Sequence, residues 1–385
     1  VTNPRESLGF YGRGFLATMP GLIADGSLLG VDTFLVLAGF LAFFLFLKEL
    51  GKRMTSPHSR KGSDAGAAAG PTLKSTSTST STKNGRKLCQ MALVSYVRRY
   101  LRLTPAYAVM LLIFTTLAPL MSSAPPSPTG IMVEAQQCSE KWWQNLLYIN
   151  NILSNPYTMC YQASWFLAVV QQLFLLVPWV SALAFWRPKW GLALVMGLCL
   201  ASYMYTFREA QREGWRINSI DRPGFPKFFA DFYASTFTRM PTFLIGGMAA
   251  IVWYHWGERM GKYWAVKEGK EGRRVSVQVV VVMAVAMVLF ALTMFGPYRE
   301  LGWAPGSWSQ TTSSMYITLS FSGWVMGLVL LCGVLALGRG GWIKKFLELP
   351  FWAVPSRLTY STYLVHPMVS GGREGAREGG REGMV

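Results

Sequence analysis

Long apolar runs separated by polar and mostly basic loops set the pattern of this chain. The first runs from Gly30 to Leu47 (GVDTFLVLAGFLAFFLFL), interrupted by Asp32 near its start and by Gly39. Others fall at Thr104–Leu120, Trp165–Trp186, Trp190–Phe207, Pro241–Trp256, Val275–Phe295 and Met315–Leu337, and a last begins near Leu358. Runs of about 18 residues cross a hydrocarbon core about 30 Å thick, so the pattern predicts an all-α polytopic integral membrane protein with about eight spans. The stretch from Leu358 stops after about a dozen residues, too short to cross as it stands.

The loops suggest the sidedness. Residues 48–103, 187–189, 257–274 and 338–357 are rich in Lys and Arg, which assigns them to the cytoplasm and residues 1–30 to the other side. The loop at 208–240 strains this rule, because it carries Arg208, Arg212, Arg216, Arg222, Lys227 and Arg239 yet falls outside. Within the first inner loop, Ser75–Thr82 reads STSTSTST, a composition that buries nothing and predicts disorder. The expected organisation is an outer loop with the first span (1–47), a polar inner loop (48–95), the main membrane domain (96–369) and a Gly/Arg/Glu tail (370–385).

Composition narrows the class further. Hydrophobic residues make up 51% of the 385 and charged residues 15%, which excludes a string of soluble domains. The formal charge of +18 sits beside apolar runs, without zinc-finger spacing or an RNA-binding motif, so its expected partner is the bilayer and not nucleic acid. The cysteines form no metal-ligand array and no metal is expected: Cys89, Cys199 and Cys332 read as small hydrophobes. Cys138 and Cys160 share one outer loop, where a disulfide requires an oxidising compartment.

Ionisable groups at membrane depth are costly and therefore candidates for function. Asp32 is one, either as part of a site or as an edge residue contacting water. Arg98, Arg99 and Arg102 form a knot in YVRRYLRLTPAY, with Arg98 and Arg102 on one helical face. Such a knot either anchors lipid headgroups or grips a phosphate-bearing ligand. His366, His255 and His58 read respectively as a packing or capping residue, an interfacial residue and a loop residue. The chain has no nucleophile elbow, P-loop or dinucleotide fingerprint.

The order of several motifs adds a resemblance. GVDTFLVLAGF, YVRRYLRLTPAY, CSEKWWQNLLYINNIL with Cys160, SWFLAVVQQLFLLVP, TRMPTFLIGG and SRLTYSTYLVHP follow one another along the chain. This series resembles membrane acyltransferase family 3, and most closely its nose-resistant-to-fluoxetine branch, over about residues 9–369. The resemblance implies a bundle of about ten helices that moves an acyl group, often acetyl, from acyl-CoA to a hydroxyl on a lipid, sterol-like or glycan acceptor. It implies donor positioning by Arg99 and Arg102 with Arg98 in support, site support by Asp32, Trp165, Gln172 and His366, and a Cys138–Cys160 disulfide. Bidentate guanidinium groups suit phosphate oxygens.

Two departures from that family stand out. Its proposed catalytic His lies on a first helix that this sequence is expected to lack, and Val170 occupies a position where the family carries a carboxylate. No catalytic residue is therefore identified. The alternative on the same scaffold is a non-enzymatic protein that binds or moves lipids or small amphiphiles. The membrane of residence, plasma or endoplasmic reticulum, stays undecided.

Overall fold

The computed structural model describes residues 29–55, 77–121, 130–154, 158–216, 225–265, 269–298, 300, 307–339 and 341–366. Its long helices are α1 (Leu29–Thr55), α2 (Ser77–Met121), α3 (Gly130–Leu146), α4 (Trp165–Phe174), α5 (Val177–Trp186), α6 (Pro188–Arg212), α7 (Thr236–Trp264), α8 (Gly269–Phe295), α9 (Gln310–Ala336) and α10 (residues 353–366). No strand occurs among the described residues. Six stretches there are long and apolar enough to cross a membrane: Leu29–Met54, Gly85–Leu117, Gln162–Trp186, Pro188–Arg212, Val275–Phe295 and Gln310–Ala336. The chain is an all-α, multi-pass integral membrane protein.

Those six overlap six of the expected spans. The seventh, Pro241–Trp256, lies within the 29-residue α7, and the stretch from Leu358 lies in α10. The Gly/Arg/Glu tail lies outside the described residues, as does the loop at 1–28. Part of the tract expected to be disordered behaves differently: from Ser77 onward it is helical, continuous with α2. Once a helix is nucleated by a strong downstream segment, each added residue costs little, so a weak Ser/Thr sequence can extend it.

Contacts give the helix directions. Along α1 and α7, Asp32 meets Arg239 near one end and Gly51 meets Tyr254 near the other, so the two run parallel. α4 and α5 run against α2: Tyr161 meets the Phe114 ring edge-on, Gln171 bonds Arg99, and Leu175 accepts from Tyr96. The α1–α7 crossing is unusually close because glycine leaves room for it. A Cβ on Gly39 would stand 2.0 Å from the Phe243 carbonyl oxygen, and one on Gly246 would stand 2.1 Å from that of Val36. Small residues at such crossings replace the hydrophobic drive that lipid removes.

α7 also carries Pro241 in its interior. A proline frees the carbonyl four residues earlier, and a bare carbonyl is costly in lipid. Here Ser202 of α6 donates its hydroxyl to that carbonyl, on Phe237. Apolar packing then fills the space between α1, α4, α5 and α7, around Leu35, Phe43, Leu47, Leu173 and Phe243.

Candidate functional site

Polar side chains from distant motifs meet inside this apolar bundle. At the start of α1, the fully buried Asp32 accepts from Arg239 Nη1 at 3.0 and 2.9 Å. Arg239, also fully buried, donates its Nε to the Tyr233 carbonyl at 2.8 Å. Aromatic rings enclose its guanidinium: Phe321 at 4.2 Å, Tyr233 at 4.5 Å and Trp165 at 5.7 Å. Burial strengthens such cation–π contacts because water no longer competes for the charge. Its Nη2 has no hydrogen-bond partner.

Next to this pair, Gln172 of α4 ties three segments together. Its Nε2 donates to the Tyr148 carbonyl at 2.7 Å and to Asn151 Oδ1 at 2.8 Å, and its Oε1 accepts from Thr236. Asn151 Nδ2 in turn donates to the Ala234 carbonyl at 3.1 Å and to Thr236 at 3.0 Å. Gln172 thus holds the loop after α3 against the start of α7.

A second cluster surrounds Ser164. Asn150 and Asn145 donate to its Oγ at 2.9 and 3.2 Å, and Asn145 also donates to the Cys160 carbonyl at 2.7 Å. Cys160 is disulfide-bonded to Cys138, which anchors this loop to α3. Tyr148 and Tyr161 both adopt positive φ, 56° and 55°. That conformation is uncommon for a bulky side chain and persists where surrounding contacts dictate it. Those contacts are visible: Tyr148 shares a hydrogen bond with Thr104 at 3.1 Å, and Tyr161 donates to the Leu364 carbonyl. α10 closes the cluster, with Tyr363 donating to Ala163 and Tyr360 to Leu103. The Tyr107 hydroxyl lies beside Ser164 and Asn145, and Oδ1 of Asn150 is buried without a hydrogen-bond partner. Buried polar atoms are ordinarily paired, so this amide oxygen is an exception.

The sequence-predicted residues divide between these arrangements. Asp32 and Trp165 converge on Arg239, and Gln172 is linked to the same region through Thr236. Arg99 donates to Gln171 at 3.0 Å and lies 4.3 Å over the Phe174 ring. Gln171 stands nine residues into the span that begins at Gln162, about 14 Å along it. Arg99 of the arginine knot therefore packs against the side of α4. Antiparallel packing of α2 on α4 is the reason. Arg98 and Arg102 are exposed, and Arg98 lies within electrostatic reach of Glu49. Val170 is buried in the apolar core beside Leu173. His366 is exposed and contacts Tyr363 of its own helix.

Arg239 is the main residue that sequence reasoning missed. In the sequence it is one of six basic residues in the loop at 208–240. The structure accounts for several of these charges: Arg239 is paired inside, Lys227 bonds Glu213 at 2.6 Å, Arg212 lies 3.8 Å from both Glu209 and Glu213, and Arg216 bonds the Trp308 carbonyl. The Lys227 hydrogen bond holds the Glu213 carboxyl below the usual glutamate range. Burial pushes the nearby Asp231 carboxyl up, against the pull of Lys227. The signal that could have singled out Arg239 is its position at the head of an apolar run, in TRMPTFLIGG.

Among the described residues, no group of His, Cys, Asp and Glu could hold a metal ion. Comparison with known proteins gives a relative that matches most of the chain. The Nose resistant to fluoxetine protein 6 of Caenorhabditis elegans is 26% identical over 349 residues, which cover 89% of this chain and 38% of that protein. The chain thus spans little more than a third of the length of this relative. No protein-family model and no solved structure matches. The similarity supports the nose-resistant-to-fluoxetine side of the resemblance read from the motifs.

Proposed function

We propose that the chain belongs to a membrane protein that transfers an acyl group, acetyl first among candidates, from acyl-CoA to a hydroxyl-bearing acceptor. Arg98 and Arg102, exposed on one face of α2, hold phosphates of the donor, and Arg99 fixes the wall behind them against Gln171 and Phe174. The observation that supports this reading is the convergence of motif segments. Asp32, Arg239 and Trp165 gather in one buried cluster and Gln172, Thr236, Asn151 and Tyr148 in an adjoining, partly buried one, from segments spread over more than 200 residues. A membrane protein gains nothing from such a network in lipid unless it shapes the fold or meets a polar ligand. The buried, unpaired Oδ1 of Asn150 and Nη2 of Arg239 favour the ligand.

A second reading, binding or movement of an amphiphile without chemistry, is favoured by a different observation. Acyl transfer to a hydroxyl needs a group to take its proton. Among the described residues, Asp32 is committed to Arg239, Val170 lies in the core, and His366 is exposed on α10.

The test uses membranes carrying the full-length protein and acetyl-CoA labelled in its acetyl group. Label is expected in an extractable acceptor above the level in membranes without the protein. Absence of transfer combined with retained acyl-CoA binding selects the second reading. Arg98→Ala with Arg102→Ala is expected to weaken acyl-CoA retention about tenfold or more, since each charge-assisted hydrogen bond is worth about 1.5–3 kcal/mol. Unchanged retention with impaired membrane insertion makes the arginines topology anchors instead.

A further inference from the structure

A cavity of about 620 Å³ lies between α1, α7, α8 and α9. It follows a face of α1 that neighbours the core-facing one. Val36, Phe40 and Phe44 recur there at successive helical turns, while Leu35 and Phe43 point into the core. From Thr33 to Phe44 the groove runs about 16 Å along the helix. Ala249 and Trp253 of α7 and Leu328 of α9 continue the wall. Thr33 is the polar mark at one end, where its Oγ1 accepts from Trp324 Nε1 at 3.0 Å. The adjoining residue is Asp32, whose carboxylate holds Arg239.

The setting limits what can fill this space. α1, α8 and α9 each contain a stretch long and apolar enough to cross the bilayer. Lipid chains are thus the medium at the groove's mouth. Water needs two to four polar partners, which the walls between Val36 and Leu328 do not offer. Another spanning helix, about 30 Å long, would overrun a groove that covers about 16 Å of α1. A single acyl chain suits an elongated apolar slot of this size.

We propose that this groove binds the acyl chain of a membrane amphiphile and sets its polar head at Thr33, beside the Asp32–Arg239 pair. This makes the acceptor of the proposed reaction a lipid, a conclusion that rests on the acyl-transfer reading; the binding itself does not. The head would lie at the edge of the polar network, and chain length would govern how far it reaches.

The experiment uses the full-length protein in lipid nanodiscs containing a phosphatidylcholine with a diazirine in one acyl chain. After illumination, adducts are mapped by peptide mass spectrometry. They are expected on α1 and α9 peptides that line the groove, and to be competed saturably by unlabelled lipid. Val36→Trp and Ala249→Trp, which fill the slot, should each lower those adducts about tenfold. Met287→Trp on the exposed face of α8 should leave them unchanged. Adducts spread evenly over exposed faces without saturable competition would overturn the proposal, even if neither slot-filling variant folds. Crosslinks from the groove to another segment of the chain would overturn it too. Groove labelling without acetyl transfer keeps the site and sinks the reaction, whereas transfer without groove labelling does the reverse.

Discussion

The span Gln162–Trp186 and the span Val275–Phe295 cross the same bilayer under opposite rules. In the first, 61% of the best apolar window is buried inside the protein; in the second, 17% is. Yet the second is the more apolar of the two. In water the greasier helix would be the buried one. In lipid the solvent is itself apolar, so burial follows small and polar residues that have partners within the protein. The inner span carries Ser164, Gln171 and Gln172, all bonded, while α8 turns Val280, Met287 and Leu292 outward.

This contrast breaks most sharply at the Asp32–Arg239 pair. Arg239→Leu is expected to destabilise the folded protein by about 3–5 kcal/mol, because it strands a buried carboxylate. The double variant with Asp32→Leu should recover much of that loss in a thermal-unfolding series in detergent. If the single variant unfolds like the parent, the pair does not belong to a rigid core. Next comes Cys160→Ser, which opens a loop closed over 22 residues and should cost about 2–4 kcal/mol. Reducing agent should reproduce that shift in the parent and leave the variant unmoved.

Glycines sharpen the comparison at a smaller scale. Gly39→Ala should cost about 1–3 kcal/mol by forcing α1 away from the Phe243 carbonyl. Gly197→Ala on α6 meets open space, so it should be neutral or slightly stabilising through helix propensity. Equal effects at both sites would mean that the close crossing is not a structural constraint.

The smallest expected effect lies at the Glu213–Lys227 ion pair. Glu213 titrates below its usual range in the folded protein, so its contribution is present above the unfolded value and fades as pH falls through the folded one. Lys227→Gln should therefore lower stability slightly near neutrality and converge with the parent in acid. A difference that persists in acid would assign the effect to something other than this ion pair.

The comparison also explains what was legible beforehand. Apolar run length located the spans, because lipid imposes it on each span separately. The disulfide followed from the resemblance, and its partners were the expected ones. Arg239 was not legible, because its carboxylate partner stands 207 residues away and a one-dimensional reading sees only a charged loop. Asn145, Asn150 and Asn151 stood in a recognised motif but had no assigned role. Whether an amide is paired, unpaired or shared with Ser164 depends on packing between segments. The contacts of Arg99 with Gln171 and Phe174 likewise required α4 to be set against α2.

The distance between Asp32 and Arg239 along the chain has a consequence for synthesis. Translation at about 5–20 residues per second leaves roughly 10–40 s between the appearance of the acid and that of its partner. For that interval α1 must hold an unpaired carboxyl at the translocon, either neutralised or kept at the water boundary. The buried position of Asp32 is therefore completed only when α7 arrives, and until then its carboxyl stays protonated or at the water boundary.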